Sequence, residues 1–118
     1  MKRLCLASIL VSTSVLCTAA PAAKMQDGVL VNEHGMTLYT FDKDTAGKSN
    51  CNAACATLWP PAIAARDAQA EGDMSIITRD DGAMQWAHKG KPVYTFVKDV
   101  KAGDRTGDNV KEVWHVVK

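Results

Sequence analysis

The sequence predicts a small, mainly β single domain. Two pseudo-symmetric hairpin or meander repeats share one aromatic core, and a short irregular helix lies near a cysteine pair. Three observations lead there. First, Tyr39-Thr40-Phe41-Asp42-Lys43-Asp44 recurs as Tyr94-Thr95-Phe96-Val97-Lys98-Asp99, an offset of 55. Gly35 maps onto Gly90 and Leu38 onto Val93 at the same offset; Ala46-Gly47 maps onto Ala102-Gly103 after one inserted residue; Leu58-Trp59 maps onto Val113-Trp114 with the offset restored. Second, short apolar runs alternate with turn residues. Third, all seven Trp, Tyr and Phe residues fall within the two copies, 30–61 and 85–116. Each 32-residue copy is below the ~40 residues under which an isolated unit rarely folds, so the copies should share a core. Two copies are also too few for an open solenoid, which favours an approximate twofold relation.

The elements follow from local pattern. Val29-Leu30-Val31, the turn Asn32-Glu33-His34-Gly35, and Met36 to Phe41 read as a hairpin. The second copy repeats this as Met84 to His88, Lys89-Gly90, and Lys91 to Val97. Ser75 to Thr78 adds a strand before Asp80-Asp81-Gly82, a tight turn in which glycine supplies the positive φ. Val113 to Val117 closes the chain as a last strand. Alternation places Tyr39 and Phe41 on one face and Leu38 and Thr40 on the other, with the rings directed inward. Residues 62–74, alanine-rich after the stiff Pro60-Pro61, read as a linker.

The amino terminus reads as a cleavable export signal over 1–23, leaving a domain over 24–118. Met1-Lys2-Arg3 precedes an apolar run from Leu4 to Cys17, and small residues follow at 18–23. That 14-residue run is too short for the ~20 residues of a membrane-spanning helix. Cleavage after Ala20, Ala22 or Ala23 fits the small-residue rule. Cleavage after Ala23 removes Lys2, Arg3, Cys5 and Cys17, so a net charge of +1 becomes −1 and one cysteine pair remains. The balance excludes an electrostatic nucleic-acid surface, and no later segment is apolar enough to span a membrane. Cys17 follows Leu16 rather than a small residue, so the signal lacks the mark of lipid acylation.

Tyr-x-Phe-x-x-Asp occurs twice, with Cys-x-x-x-Cys-x-x-x-Trp-Pro-Pro after the first copy and Gly-Asp-x-x-Gly-Asp before the last tryptophan. Carried by Tyr39, Phe41, Asp44, Cys51, Cys55, Trp59, Pro60, Pro61, Tyr94, Phe96, Asp99, Gly103, Asp104, Gly107, Asp108 and Trp114, this pattern resembles a bacterial secreted repeat family. Its members are also described as predicted lipoproteins with a Tyr-x-aromatic-x-x-Asp motif. The resemblance implies export and a compact repeated domain, with no established activity. Many members are lipid-anchored; this chain departs from them at its signal.

Candidate chemistry is sparse. In an oxidising compartment Cys51 and Cys55 form a disulfide. Helical i, i+4 spacing holds Cβ atoms at ≈5–6 Å, against about 3.8 Å in a disulfide, so a bridge there requires a distorted turn. It would stabilise the fold by about 2 kcal/mol in the chain-entropy model. The alternative is a periplasmic thiol-redox or copper-handling protein, because paired thiolates suit Cu(I). His34 in one turn and His88 at the other hairpin tip could join such a site if brought beside the cysteines. Asp44 and Asp99, each ending a motif strand, are expected to cap the following turns structurally. The motif residues Tyr39, Phe41, Tyr94, Phe96, Trp59 and Trp114 are expected to be structural with them. Nothing in the spacing brings the two motifs together as an acid–base pair. The loop 103–109 is acidic, but its spacing is not that of an EF-hand and Arg105 opposes a cation. With no nucleophile setting, phosphate loop or metalloprotease motif, the reading is a non-enzymatic periplasmic or secreted envelope module. It needs no cofactor and binds an envelope protein or small ligand.

Overall fold

The structure is a computed structural model that describes residues 23–118. The expected signal segment lies outside the described residues except for Ala23, which opens the first strand. Two hairpins begin the two copies. Strands β1 (Ala23–Gln26) and β2 (Val29–Asn32) pair antiparallel around Asp27-Gly28. Both turn residues have positive φ, 51° and 86°, the geometry that a two-residue hairpin turn demands and Asp-Gly supplies. Strands β4 (Met74–Thr78) and β5 (Met84–His88) form the corresponding hairpin. Strand β6 (Lys91–Pro92) then returns along β5 through Lys89-Gly90, at φ 50° and 83°.

The sequence pattern misses β1. Ala-Lys-Met-Gln is half polar and begins at the last residue of the expected export signal, although Asp27-Gly28 was a turn signal in plain view. A second difference concerns the first hairpin. Its return limb stays beside β2 only through Thr37 and Leu38, with Val31 opposite Thr37 and the Leu38 amide bonded to the Leu30 carbonyl at 3.0 Å. From there the chain leaves as β3 (Tyr39–Phe41) to pair with the terminal strand β7 (Trp114–Val116). Tyr39 faces Val116, and Phe41 faces Trp114.

The two halves are therefore interleaved rather than set side by side. At the centre, Tyr39 and Tyr94 exchange both backbone bonds, at 2.8 and 3.0 Å. On the far side of Tyr94 the Pro60-Pro61 segment takes the place that β7 takes beside β3. The Thr95 and Val97 amides bond to the Pro60 and Leu58 carbonyls at 2.8 and 3.1 Å, just as Asp42 bonds to Val113 at 2.8 Å. Proline accepts but cannot donate, so at Pro60 and Pro61 this outer ladder only accepts. The helix α1 (Ala54–Leu58) precedes Trp59, and a 3-10 turn, Val110–Glu112, precedes Trp114. The residue before each, Ala53 and Asn109, has positive φ. Past Pro61, Ala62 and Ala64 still bond to Val93 and Met84.

Two cores result. Tyr39, Cys51, Trp59, Tyr94, Phe96 and Trp114 form one, with half-buried Phe41 and Cys55 packed on it. Leu30, Leu38, Met74, Val93 and Val117 form the other, and Trp86 packs there instead of joining the remaining six rings. The alternation along β3 thus separates Tyr39 and Phe41 from Leu38 as the strand period requires. Among the described residues no helix is long and apolar enough to cross a membrane.

Candidate functional site

The repeat motif converges on the interface between the copies. The spacing gave no sign that the two motifs meet, yet each tyrosine bonds to the aspartate of the other copy. The Tyr39 hydroxyl donates to Asp99 Oδ2 and the Tyr94 hydroxyl to Asp44 Oδ2, both at 2.6 Å. Such short bonds to a carboxylate are about twice as strong as neutral ones. Each aspartate also holds the loop after its own strand. Asp44 Oδ1 accepts the Asn50 amide at 2.6 Å; Asp99 Oδ1 accepts the Thr106 amide and hydroxyl at 2.9 and 2.6 Å. The capping role is thus only half of what these carboxylates do. The missed half could be sought in the doubled spacing of Tyr and Asp, which suits a reciprocal exchange once a twofold is assumed.

Burial sets the protonation of this centre. Tyr39 and Tyr94 are fully buried, and burial, reinforced by the facing carboxylates, pushes both phenols well above their ordinary value. Burial also raises the Asp44 carboxyl, against the opposing pull of Tyr94, Asn50 and Arg79. Arg79 is a residue that sequence reasoning did not single out. It is buried, and its guanidinium donates to Ser49 Oγ at 3.0 Å, Gln85 Oε1 at 2.7 Å and the Cys51 carbonyl. It pins the cysteine loop of the first copy to the β4–β5 hairpin of the second.

The rings beside this centre form a column. Phe41 stacks on Trp114 at 4.2 Å, Trp114 on Trp59 at 3.8 Å with planes 2° apart, and Trp59 on Phe96 at 4.0 Å. Tyr39 and Tyr94 meet Trp59 and Trp114 edge-on at 5.4 and 5.2 Å. Every stacked contact joins one copy to the other. Gly107 is the one position where the column admits no side chain: a Cβ there would lie 2.7 Å from the Trp59 ring and 3.0 Å from Phe96. Gly107→Ala is accordingly expected to destabilise the domain by about 1–3 kcal/mol through overpacking, read as a lower denaturant midpoint at an unchanged slope. Gly47→Ala is not a matched control, because Gly47 itself has positive φ.

Cys51 and Cys55 form a disulfide with Cα atoms 5.2 Å apart. The turn is distorted as the spacing requires: Cys51 precedes the helix, and Ala53 between them adopts φ 53°. His34 lines a cavity with Leu38, Met74 and Trp86; His88 lines another with Glu71, Asp73 and Lys118. Neither cavity is lined by a cysteine. Burial and the neighbouring Lys89 lower the His88 pKa. Among the described residues no group of three or more His, Cys, Asp or Glu is placed to hold a metal ion. In the acidic loop, Asp104 Oδ2 accepts the Val100 and Lys101 amides, and Asp108 Oδ1 accepts the Val116 amide, so these carboxylates organise backbone.

A family model described as a secreted repeat of unknown function matches residues 22–63 and again residues 75–118. The chain belongs to that family. The two matches extend beyond the bare motif to take in β1 and all of β4 but Met74, so each unit of the secreted repeat includes its opening hairpin. No curated protein and no solved structure matches the chain.

Proposed function

We propose that this secreted repeat is a non-enzymatic module of the cell envelope, periplasmic or secreted and free of a lipid anchor, that binds a small ligand or a protein. The supporting observation is the fate of the two motif carboxylates. Asp44 and Asp99 were the residues available as a paired acid and base, and each is engaged by a buried tyrosine and by backbone. General acid–base work needs a carboxyl within reach of a substrate proton; these face one another's tyrosines. For the thiol-redox or copper alternative, Cys51 is 0% exposed within the aromatic core while Cys55 is half-buried, so one sulfur of the pair is sealed from a metal or thiol partner.

Thiol titration and metal analysis of the protein purified from the periplasm test this reading. The expected outcome is no reactive thiol in the native state, two after denaturation and reduction, no stoichiometric copper, and an intact mass without acyl chains. A native thiol pair, or one copper per chain, would overturn it in favour of the redox or copper-handling alternative.

A further inference from the structure

The two copies share one backbone plan, so each serves as a comparison for the other. The loop after the motif strand closes onto the hairpin tip of the opposite copy in both. The Gly47 amide bonds to the Gly90 carbonyl at 2.8 Å, and the Gly103 amide to Gly35 at 3.3 Å. Beside the first closure lies a cavity of about 300 Å³ lined by Phe41, Asp42, Asp44, Thr45, Lys89 and Lys91 among others. At the corresponding offsets the other copy carries Val97 for Asp42, Val100 for Thr45, His34 for Lys89 and Met36 for Lys91. The fold accepts these apolar and neutral replacements, so the charged set around the first cavity is not something the closure requires.

We infer that this cavity is a saccharide subsite taking one sugar unit that carries a carboxylate. The volume is at the lower end of ligand cavities. Phe41, stacked on Trp114 on one side, and Pro92 supply an apolar wall for the C–H face of a pyranose ring. Asp42 Oδ1 and the Thr45 hydroxyl supply an acceptor and a donor for ring hydroxyls, while Asp44, whose two oxygens are held by Tyr94 and the Asn50 amide, only borders the cavity. Lys89 and Lys91 supply the charge for the carboxylate. Among the described residues Lys48 pairs with Asp80 and His115 is hydrogen-bonded to Asp42, so neither cavity lysine is neutralised by an ion pair. A bare small anion fits poorly, because it would meet two carboxylates and leave the apolar wall uncovered.

The inference rests on the reading of the module as a non-enzymatic binder and names its ligand class. Proton NMR titration of the exported protein with glucuronic acid, glucose and glutamate tests it. Glucuronate is expected to give saturable shifts at the Thr45–Ala46 and Lys89–Lys91 amides, with glucose at least about tenfold weaker. Grafting the other copy's residues, Asp42→Val, Thr45→Val, Lys89→His and Lys91→Met, is expected to weaken glucuronate binding about tenfold or more without changing tryptophan fluorescence. The exposed pair Lys89→Met and Lys91→Met gives the same readout if the fourfold graft does not fold. No saturable shift with glucuronate, glutamate binding as tightly, or variants binding undiminished would overturn the subsite. The two readings fail separately. Loss of glucuronate signals to a product would sink the non-enzymatic reading while leaving the site. Absence of binding removes the site and leaves that reading standing.

Discussion

Trp59→Ala or Trp114→Ala is expected to destabilise the domain by about 3–5 kcal/mol, the range for truncating a buried large aromatic. That is a large share of the roughly 5–15 kcal/mol that holds a domain together. Both rings are almost fully buried, at 3% exposure each, and both lie at the centre of the column that joins the copies. Trp86→Ala should cost markedly less, since Trp86 is half-buried and packs on the second cluster. Urea unfolding monitored by circular dichroism separates these cases. The double variant should lose less than the sum of the singles, because rings stacked at 3.8 Å share the same contact. Equal costs for all three tryptophans would contradict the account of the column as the joint between copies.

The second large effect is alkaline. The chain has two tyrosines and both are the buried donors of the reciprocal bonds. Their folded pKa values lie above the unfolded value of about 10. The unfolded chain therefore releases these protons first, and the folded state binds more of them. A raised folded pKa gives stability that is complete below pH 10 and declines as pH rises from there towards the folded values. The slope is about 1.4 kcal/mol per pH unit for each tyrosine, so the pair is expected to lose nearly 3 kcal/mol per unit. Tyrosinate absorbance should not appear in the native state and should rise together with unfolding. Tyr94→Phe should halve the alkaline slope while destabilising the neutral protein by leaving Asp44 without its buried donor. Tyrosinate forming before the loss of structure would show that the hydroxyls are not sealed as described. Asp44, with its pKa raised by burial, works in the same sense: its charged form is disfavoured in the fold, so acidification through its pKa adds stability.

Much of the plan is legible residue by residue. The duplication of Tyr39 to Asp44 as Tyr94 to Asp99, with matched glycines and tryptophans, carries the architecture because each motif position does the same job twice. Gly35 and Gly90 show it, both at positive φ on hairpin tips. The cysteine turn was legible from compartment and spacing. What escaped was whatever depended on a partner distant in the chain. Arg79 reads as an ordinary charge before Asp80-Asp81-Gly82, yet it is buried against Ser49 and Cys51, 30 and 28 residues away, and against nearby Gln85. Gln85 stands where the repeat places Leu30, and its buried amide is satisfied by accepting from Arg79 and donating to the Val93 carbonyl. The cavity between Phe41 and Lys89 joins residues from opposite copies, and spacing alone has no means of pairing them.

By itself the sequence determined the β class, the duplicated unit, the kinship with a secreted repeat family and the residues that would fill the aromatic core. These follow from local chemistry: period-two alternation, glycine and aspartate at turns, and apolar rings that must leave water. Only the tertiary structure decided that the copies interlock, with β3 given to the last strand and each tyrosine bonded to the other copy's aspartate. The physical reason is that a buried hydroxyl and a buried carboxylate each require a partner. Which partner each takes depends on how the two halves cross, a relation that exists only once they have packed.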